Sequence, residues 1–186
     1  AFSSNPDLLY TCGREVRASQ GRSAASEWFR ILAERLWSIG LANNKILQGR
    51  IVGWASWSGL IFGNFDQPGQ CVINSPRACN MAVRKQPFLD LGGFNIDFRG
   101  NAWGFEADFG LLSAHNGHFG RYVGDAIAVH YETGAGGSRV AGKSIWFADY
   151  FYNHKHLMKR IGIWGWIGAL PRLSMKFLQL LNEKIR

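Results

Sequence analysis

The sequence predicts a mixed α/β fold: a small, partly antiparallel sheet flanked by helices, with a basic amphipathic helical tail. Three observations carry this expectation. Segments with apolar residues at helical spacing alternate with short β-branched and aromatic stretches. Glycine, 23 of 186 residues, punctuates the second kind of segment. Residues 151–186 hold 7 basic residues against Glu183 alone, a net of +6, whereas residues 1–150 hold 14 Lys and Arg against 12 Asp and Glu, a net of +2.

The composition already excludes several classes. Hydrophobic residues at 47% against 18% charged residues exclude general disorder. No apolar run reaches the roughly 18 residues of a membrane span, and mean hydropathy is −0.10, so a polytopic membrane protein is excluded. Cys12, Cys71 and Cys79 are odd in number and form no C-x-x-C. They predict neither a disulfide scaffold nor a zinc site, and a reducing compartment is the simplest setting. The main body is nearly neutral, which argues against nucleic acid as a partner. A basic, Trp-rich tail suits an anionic membrane surface, or else packs back on the body.

Along the chain, residues 5–17 read as a turn and a short strand, and Gln20–Ser23 as a loop. Trp28, Leu32, Leu36 and Ile39 recur at helical spacing and predict a helix over Ala24–Ile39, with Ser23 as N-cap and Gly40 as stop. Residues 46–65 have strand-and-turn composition around Gly49, Gly53, Gly59 and Gly63. Ala78–Val83 reads as a strand and Pro87–Leu91 as a helical turn stopped by Gly92 and Gly93. Phe105–Asn116 reads as a helix with Phe109 and Leu112 inward and Gly117 at its end. His118–Val123 and Ala126–Tyr131 read as two strands joined at Gly124 and Asp125. Glu132–Gly142 is a glycine-rich loop. Ser144–Arg160 is a helix with Phe147, Tyr150, Phe151, His154 and Met158 on one stripe. Ile161–Leu170 is apolar and Trp-rich, Pro171 breaks it, and Leu173, Phe177, Leu180 and Leu181 mark a last amphipathic helix. The domain division expected is 1–160 for the main body and 161–186 for the tail.

Several residues carry chemistry in this frame. Glu106 and Asp108 open the middle helix, where acidic residues are also favoured by the helix dipole alone. Trp103 precedes that helix and offers an apolar ring face on which a ligand could stack. Asn80 is a candidate hydrogen-bonding group for a ligand. Arg139 lies within the glycine-rich loop and Lys143 directly after it, so the pair suits an anionic group with the loop acting as a lid; a plain solvated loop is the alternative.

A run of motifs ties these residues together: Ala78-Cys79-Asn80-Met81-Ala82-Val83-Arg84, then Leu91-Gly92-Gly93-Phe94-Asn95, then Trp103-Gly104-Phe105-Glu106-Ala107-Asp108-Phe109, then Asn116-Gly117, then Ala128-Val129-His130. Over residues 45–160 this run resembles the C-terminal, acceptor-side half of inverting family 2 glycosyltransferases of the GT-A fold. The Gly-Gly-Phe turn and acidic helix also resemble those of the β-1,4-galactosyltransferases. The family pattern at the helix start is Glu-Asp-x-Asp-Leu with a glycine eight residues after the Leu. Gly117 falls eight residues after Phe109, which sets the register and puts Glu106 at the position of the family's catalytic Asp. Leu112 stands where the family usually has Arg.

The resemblance implies a hexosyltransferase-like enzyme that moves a sugar from a nucleotide-sugar donor to a glycan or lipid-linked acceptor with inversion. It implies Glu106 as catalytic base, Asp108, Trp103 and Asn80 on the acceptor side, Arg139 and Lys143 at the diphosphate, and His130 as a metal ligand. The implied cofactor is a divalent metal, Mg²⁺ or Mn²⁺. The implied setting is polysaccharide or glycolipid synthesis in the cytoplasm, peripheral at the membrane face. The family's Asp-x-Asp motif and its preceding nucleotide-binding βαβ half are not found in this sequence. The expectation is therefore that the chain is the downstream part of a longer protein and is inactive by itself. The rival reading is a non-catalytic carbohydrate-binding or membrane-associated scaffold that uses the eight tryptophans and the basic tail.

Overall fold

The computed structural model describes residues 2, 3, 5–17, 31, 32, 34, 45–131, 143–170, 173 and 174, the side chains of 17 and 143–146 excepted. The sheet strand β1 (Leu8–Arg17) is followed by four two-residue strands, β2 (Ile46–Leu47), β3 (Arg50–Ile51), β4 (Trp54–Ala55) and β5 (Ile61–Phe62). Next come β6 (Gln70–Ile73), a 3-10 turn at Ala78–Asn80, β7 (Met81–Val83), α1 (Lys85–Asp90), α2 (Phe105–His115), β8 (Phe119–His130) and α3 (Lys143–Ile161). A short helix, α4, covers residues 163–170. The result is mixed α/β, a small mixed sheet flanked by helices, in line with the predicted class.

The main sheet has the order β6-β8-β1-β7. β8 runs parallel to β1, while β6 and β7 are antiparallel to their neighbours. β1 lies between two strands and is accordingly apolar at its start: Leu8, Leu9 and Tyr10 are fully buried. Tyr10, Val52, Phe65, Ile73, Phe109 and Tyr122 form the centre of the core. Phe88, Phe94 and Phe105 extend it, with ring centroids 5.1–5.3 Å apart in edge-on pairs that include Phe109.

Two local features have clear sequence causes. Between β2 and β3, Gln48 (φ 49°) and Gly49 (φ 74°) both have positive φ, as a tight two-residue hairpin requires. α2 starts after Gly104, whose φ of 90° only glycine adopts at little cost. Phe109 is buried as expected, whereas Leu112 is half-buried, and the inner face of α2 is completed by the small residues Ala107, Gly110 and Ser113. A Cβ at Gly110 would lie 1.9 Å from the Asn74 carbonyl oxygen, so the helix approaches the backbone too closely for a larger residue.

The expectation of two strands joined at Gly124 and Asp125 is corrected. β8 is one strand, and both halves pair with the same neighbour: Val123 opposes Gly13 and Ile127 opposes Arg14. The three residues between them bulge out instead of turning back. Gly124 N–H donates to Gly69 O at 2.7 Å, and Ala126 O accepts from Asn80 Nδ2 at 2.9 Å, so the bulge keeps its backbone bonds without reversing. The strand expected over Ala78–Val83 is shorter and begins only at Met81, after the 3-10 turn. Of the helix expected over Ala24–Ile39, residues 31, 32 and 34 are helical and the rest lie outside the described residues, as does most of the last amphipathic helix. Glu34 is buried and takes Arg50 Nε at 2.8 Å and Asn64 Nδ2 at 3.0 Å.

Candidate functional site

Parallel strands end on the same side of a sheet, and β1 and β8 end together, with Glu15 beside Ala128 and Arg17 beside His130 in the register. Outside the carboxyl ends of such strands is where open α/β sheets bind ligands. Two further elements reach this end. The 3-10 turn brings Arg77, Cys79 and Asn80, and the first turn of α2 brings Glu106.

The turn is pinned from below. Arg77 N–H donates to Cys12 Sγ at 3.2 Å, and Asn80 Nδ2 donates to Arg14 O at 3.2 Å as well as to Ala126 O. Gly13 makes this possible, because a Cβ there would stand 2.2 Å from Ala126 O and 2.3 Å from Asn80 Nδ2. Glu15, only 5% exposed, is held between Arg77 Nε at 3.0 Å and His130 Nδ1 at 3.3 Å. Ligand atoms of Glu15, Cys79 and His130 all lie within 4.8 Å of one another, so among the described residues these three could hold a cation. Carboxylate and imidazole suit several divalent metals, and a thiolate adds preference for softer ones.

Glu106 sits against the same turn. Its Oε1 accepts the Ala78 N–H at 2.6 Å. Among the described residues its other oxygen has no hydrogen-bond partner. Burial raises the Glu106 carboxyl above its ordinary range, and nearby Glu15 adds to that; the Ala78 N–H and the Arg77 guanidinium pull the other way without cancelling it. Burial likewise lifts the Cys12 thiol to about 12, so it stays neutral in the core, and lifts Cys79, where Glu15 also contributes. The site therefore gathers acidic groups around one guanidinium.

The residues expected at the site are distributed as follows. Glu106 and His130 are brought to the same strand ends. Asn80 is adjacent, but both its described amide bonds go to backbone carbonyls, so it clips β1 to the β8 bulge. Asp108 is elsewhere: it is 2% exposed and its two oxygens take Arg160 Nε at 3.0 Å and Arg160 Nη2 at 3.4 Å, which joins α2 to α3. Trp103 is half-buried and packs on α3, its ring 4.8 Å from Tyr150 and 5.3 Å from His154 between centroids. Arg139 and the side chain of Lys143 lie outside the described residues, as does the candidate lid over 132–142.

Glu15, Arg77 and Cys79 are members of this cluster that sequence reasoning did not select. One signal was present: Glu15 is an acidic residue inside a strand, a position where Glu is disfavoured unless something binds it. Among the described residues no helix is long and apolar enough to cross a membrane. Comparison with protein-family models, with curated proteins and with solved structures gives no match to this chain.

Proposed function

We propose that the chain is the acceptor-side, base-bearing part of an inverting, metal-assisted glycosyltransferase of the GT-A kind, which takes a nucleotide-activated sugar and a glycan or lipid-linked acceptor. The observation that carries this reading is the Glu106 carboxylate. It stands at the carboxyl ends of β1 and β8, fixed through one oxygen by the Ala78 N–H and with the other lacking a protein partner among the described residues.

The chemistry follows from those constraints. In an inverting transfer the acceptor oxygen forms a bond to the anomeric carbon as the bond from that carbon to the diphosphate breaks. The acceptor proton must leave during attack, and the uncommitted oxygen of Glu106 is the group to receive it. Burial makes this carboxylate a stronger base than an exposed one, which favours proton transfer near neutral pH. The Ala78 N–H holds the group in one orientation, so little reorganisation accompanies the transfer. Arg77, with its charge anchored on Glu15, is a fixed cation of this cluster that can offset the negative charge that builds on the leaving diphosphate. Glu15 and His130, with Cys79 beside them, are the residues that would hold a divalent cation, which when bound would supply further charge to the same leaving group.

The test is a screen of nucleotide-sugars with the protein expressed from its full open reading frame, with and without Mg²⁺ or Mn²⁺. The expected result is metal-stimulated sugar transfer that Glu106→Gln lowers by about 100-fold or more. Glycan binding with no turnover of any donor would instead favour the carbohydrate-binding or scaffold reading.

A further inference from the structure

An exposed helix on a water-soluble surface normally buries its large apolar residues and shows its small or polar ones. α4 does the reverse. Gly165 and Ala169 are buried, and Gly168 is half-buried. A Cβ at Gly168 would meet Ser58 Cβ at 2.3 Å, and one at Gly165 would meet Ile161 at 2.9 Å. The small residues thus let the helix lie close on the end of α3 and on the turn before β5. Its large residues face outward: Ile163 is 67% exposed, Trp164 61%, Ile167 50% and Leu170 63%, with Trp166 at 38%. Trp57, 57% exposed, meets the Trp164 ring edge-on at 6.4 Å between centroids and widens the patch.

Two glycines in eight residues weaken the helix by about 1 kcal/mol each relative to alanine. The close approach they allow turns the bulky residues away from the body. Scattered exposed apolar residues need no explanation, but a contiguous one of this kind marks a contact surface.

We propose that α4, with Trp57, seats the protein on the interface of an anionic lipid bilayer. Charge selects this occupant. The exposed Lys155 and Lys159 lie on the helix that α4 follows, and Arg172, Lys176, Lys184 and Arg186 come next in the sequence. Anionic headgroups attract such a segment, whereas a second copy of the chain would bring two +6 segments together. Tryptophan is favoured at the headgroup level, where its ring is apolar and its N–H finds water. The eight described residues of α4 rise only about 12 Å, and among the described residues no helix is long and apolar enough to cross a membrane, so the contact is one along the interface. This inference is independent of the transferase reading.

The experiment is flotation of the full chain with vesicles of phosphatidylglycerol and phosphatidylcholine in equal parts, and with phosphatidylcholine alone. Binding is expected to the anionic vesicles, with a blue shift in tryptophan emission and quenching by brominated lipid. High salt should weaken it. The double variant Trp164→Ser, Trp166→Ser changes exposed side chains only, so circular dichroism should report an unchanged fold. It should lower partitioning at least about tenfold. Failure to float would overturn the proposal. Flotation that the double variant leaves intact would also overturn it and assign the contact to basic charge alone. So would a concentration-dependent dimer abolished by the double variant in the absence of lipid, which would identify a second copy as the occupant. Protection of Trp164 and Trp166 from aqueous acrylamide in the lipid-free protein would identify the chain's own tail as the cover, with the same consequence.

Discussion

Glu106 and Asp108 are two residues apart in the first turn of one helix, yet they belong to different regions of the molecule. Glu106 faces the strand ends, where its hydrogen-bond partner among the described residues is one backbone N–H and where Arg77, Glu15, Cys79 and His130 gather. Asp108 faces the seam between α2 and α3, where Arg160 takes both its oxygens. A separation of two positions turns a helix by about 200°, so the two carboxylates point to nearly opposite sides. The sequence motif treats them as a pair, while the packing leaves one at the strand ends and commits the other to an interhelical ion pair.

That contrast can be broken with one substitution on each side. Glu106→Gln keeps the volume and an acceptor oxygen for the Ala78 N–H, so folding should persist while transfer falls by about 100-fold or more. Asp108→Ala should do the opposite. It strands Arg160 against a buried surface and should cost about 2–3 kcal/mol, below the range for a fully buried pair because Arg160 keeps 28% exposure. Urea unfolding midpoints together with donor turnover at saturating protein stability separate the two outcomes. A large stability loss for Glu106→Gln, or none for Asp108→Ala, would erase the distinction.

How much of this was legible in the residues differs by region. The middle helix, its glycine boundaries and its acidic first turn could be read directly, because capping and period are local properties. β1, α3 and the Gly92-Gly93 stop were equally visible. The long β8 was not, because Gly124 and Asp125 spell a turn, and only pairing with β1 on both sides keeps the chain extended. The cluster of Glu15, Cys79 and His130 was hidden for the same reason. These residues are distant in sequence and meet only through the parallel pairing of β1 with β8 and the placement of the 3-10 turn. The ion pair that claims Asp108 comes from Arg160 on another helix, which spacing within α2 cannot show.

A smaller effect is expected at Gly13, which lies under the site without touching any reacting group. Gly13→Ala puts a methyl group where Ala126 O and Asn80 Nδ2 stand. The strand or the bulge must shift, at a cost of about 1–3 kcal/mol. Asn80 and Ala126 would separate, and the turn carrying Cys79 would move with them. The result to measure is a lowered unfolding midpoint with a loss of turnover at temperatures where the variant is still folded. A change at Gly117, whose Cβ would meet nothing within 4 Å, is the matched control: its φ of 80° makes alanine costly locally but leaves the site alone.

The smallest effect is the most specific to the environment of Glu106. Its carboxyl is raised in the folded protein from an ordinary 4.5, chiefly by burial. Between that value and the elevated folded one, the native state holds more protons at this group than the unfolded state. The sign is therefore fixed: stability contributed by the protonated form is present at low pH and declines as pH rises through the window. Most carboxylates held by cations act in the other direction, so the total stability curve hides this slope. Comparison of wild type with Glu106→Gln isolates it. The variant should gain relative stability as pH rises from about 4 toward neutrality and then hold a constant difference above the folded value. Turnover by the wild type should rise over the same interval, since a base must first lose its own proton. A relative stability independent of pH would mean that Glu106 is hydrated like a surface carboxylate, and the difference between the two ends of that helix turn would then be one of partners alone and not of burial.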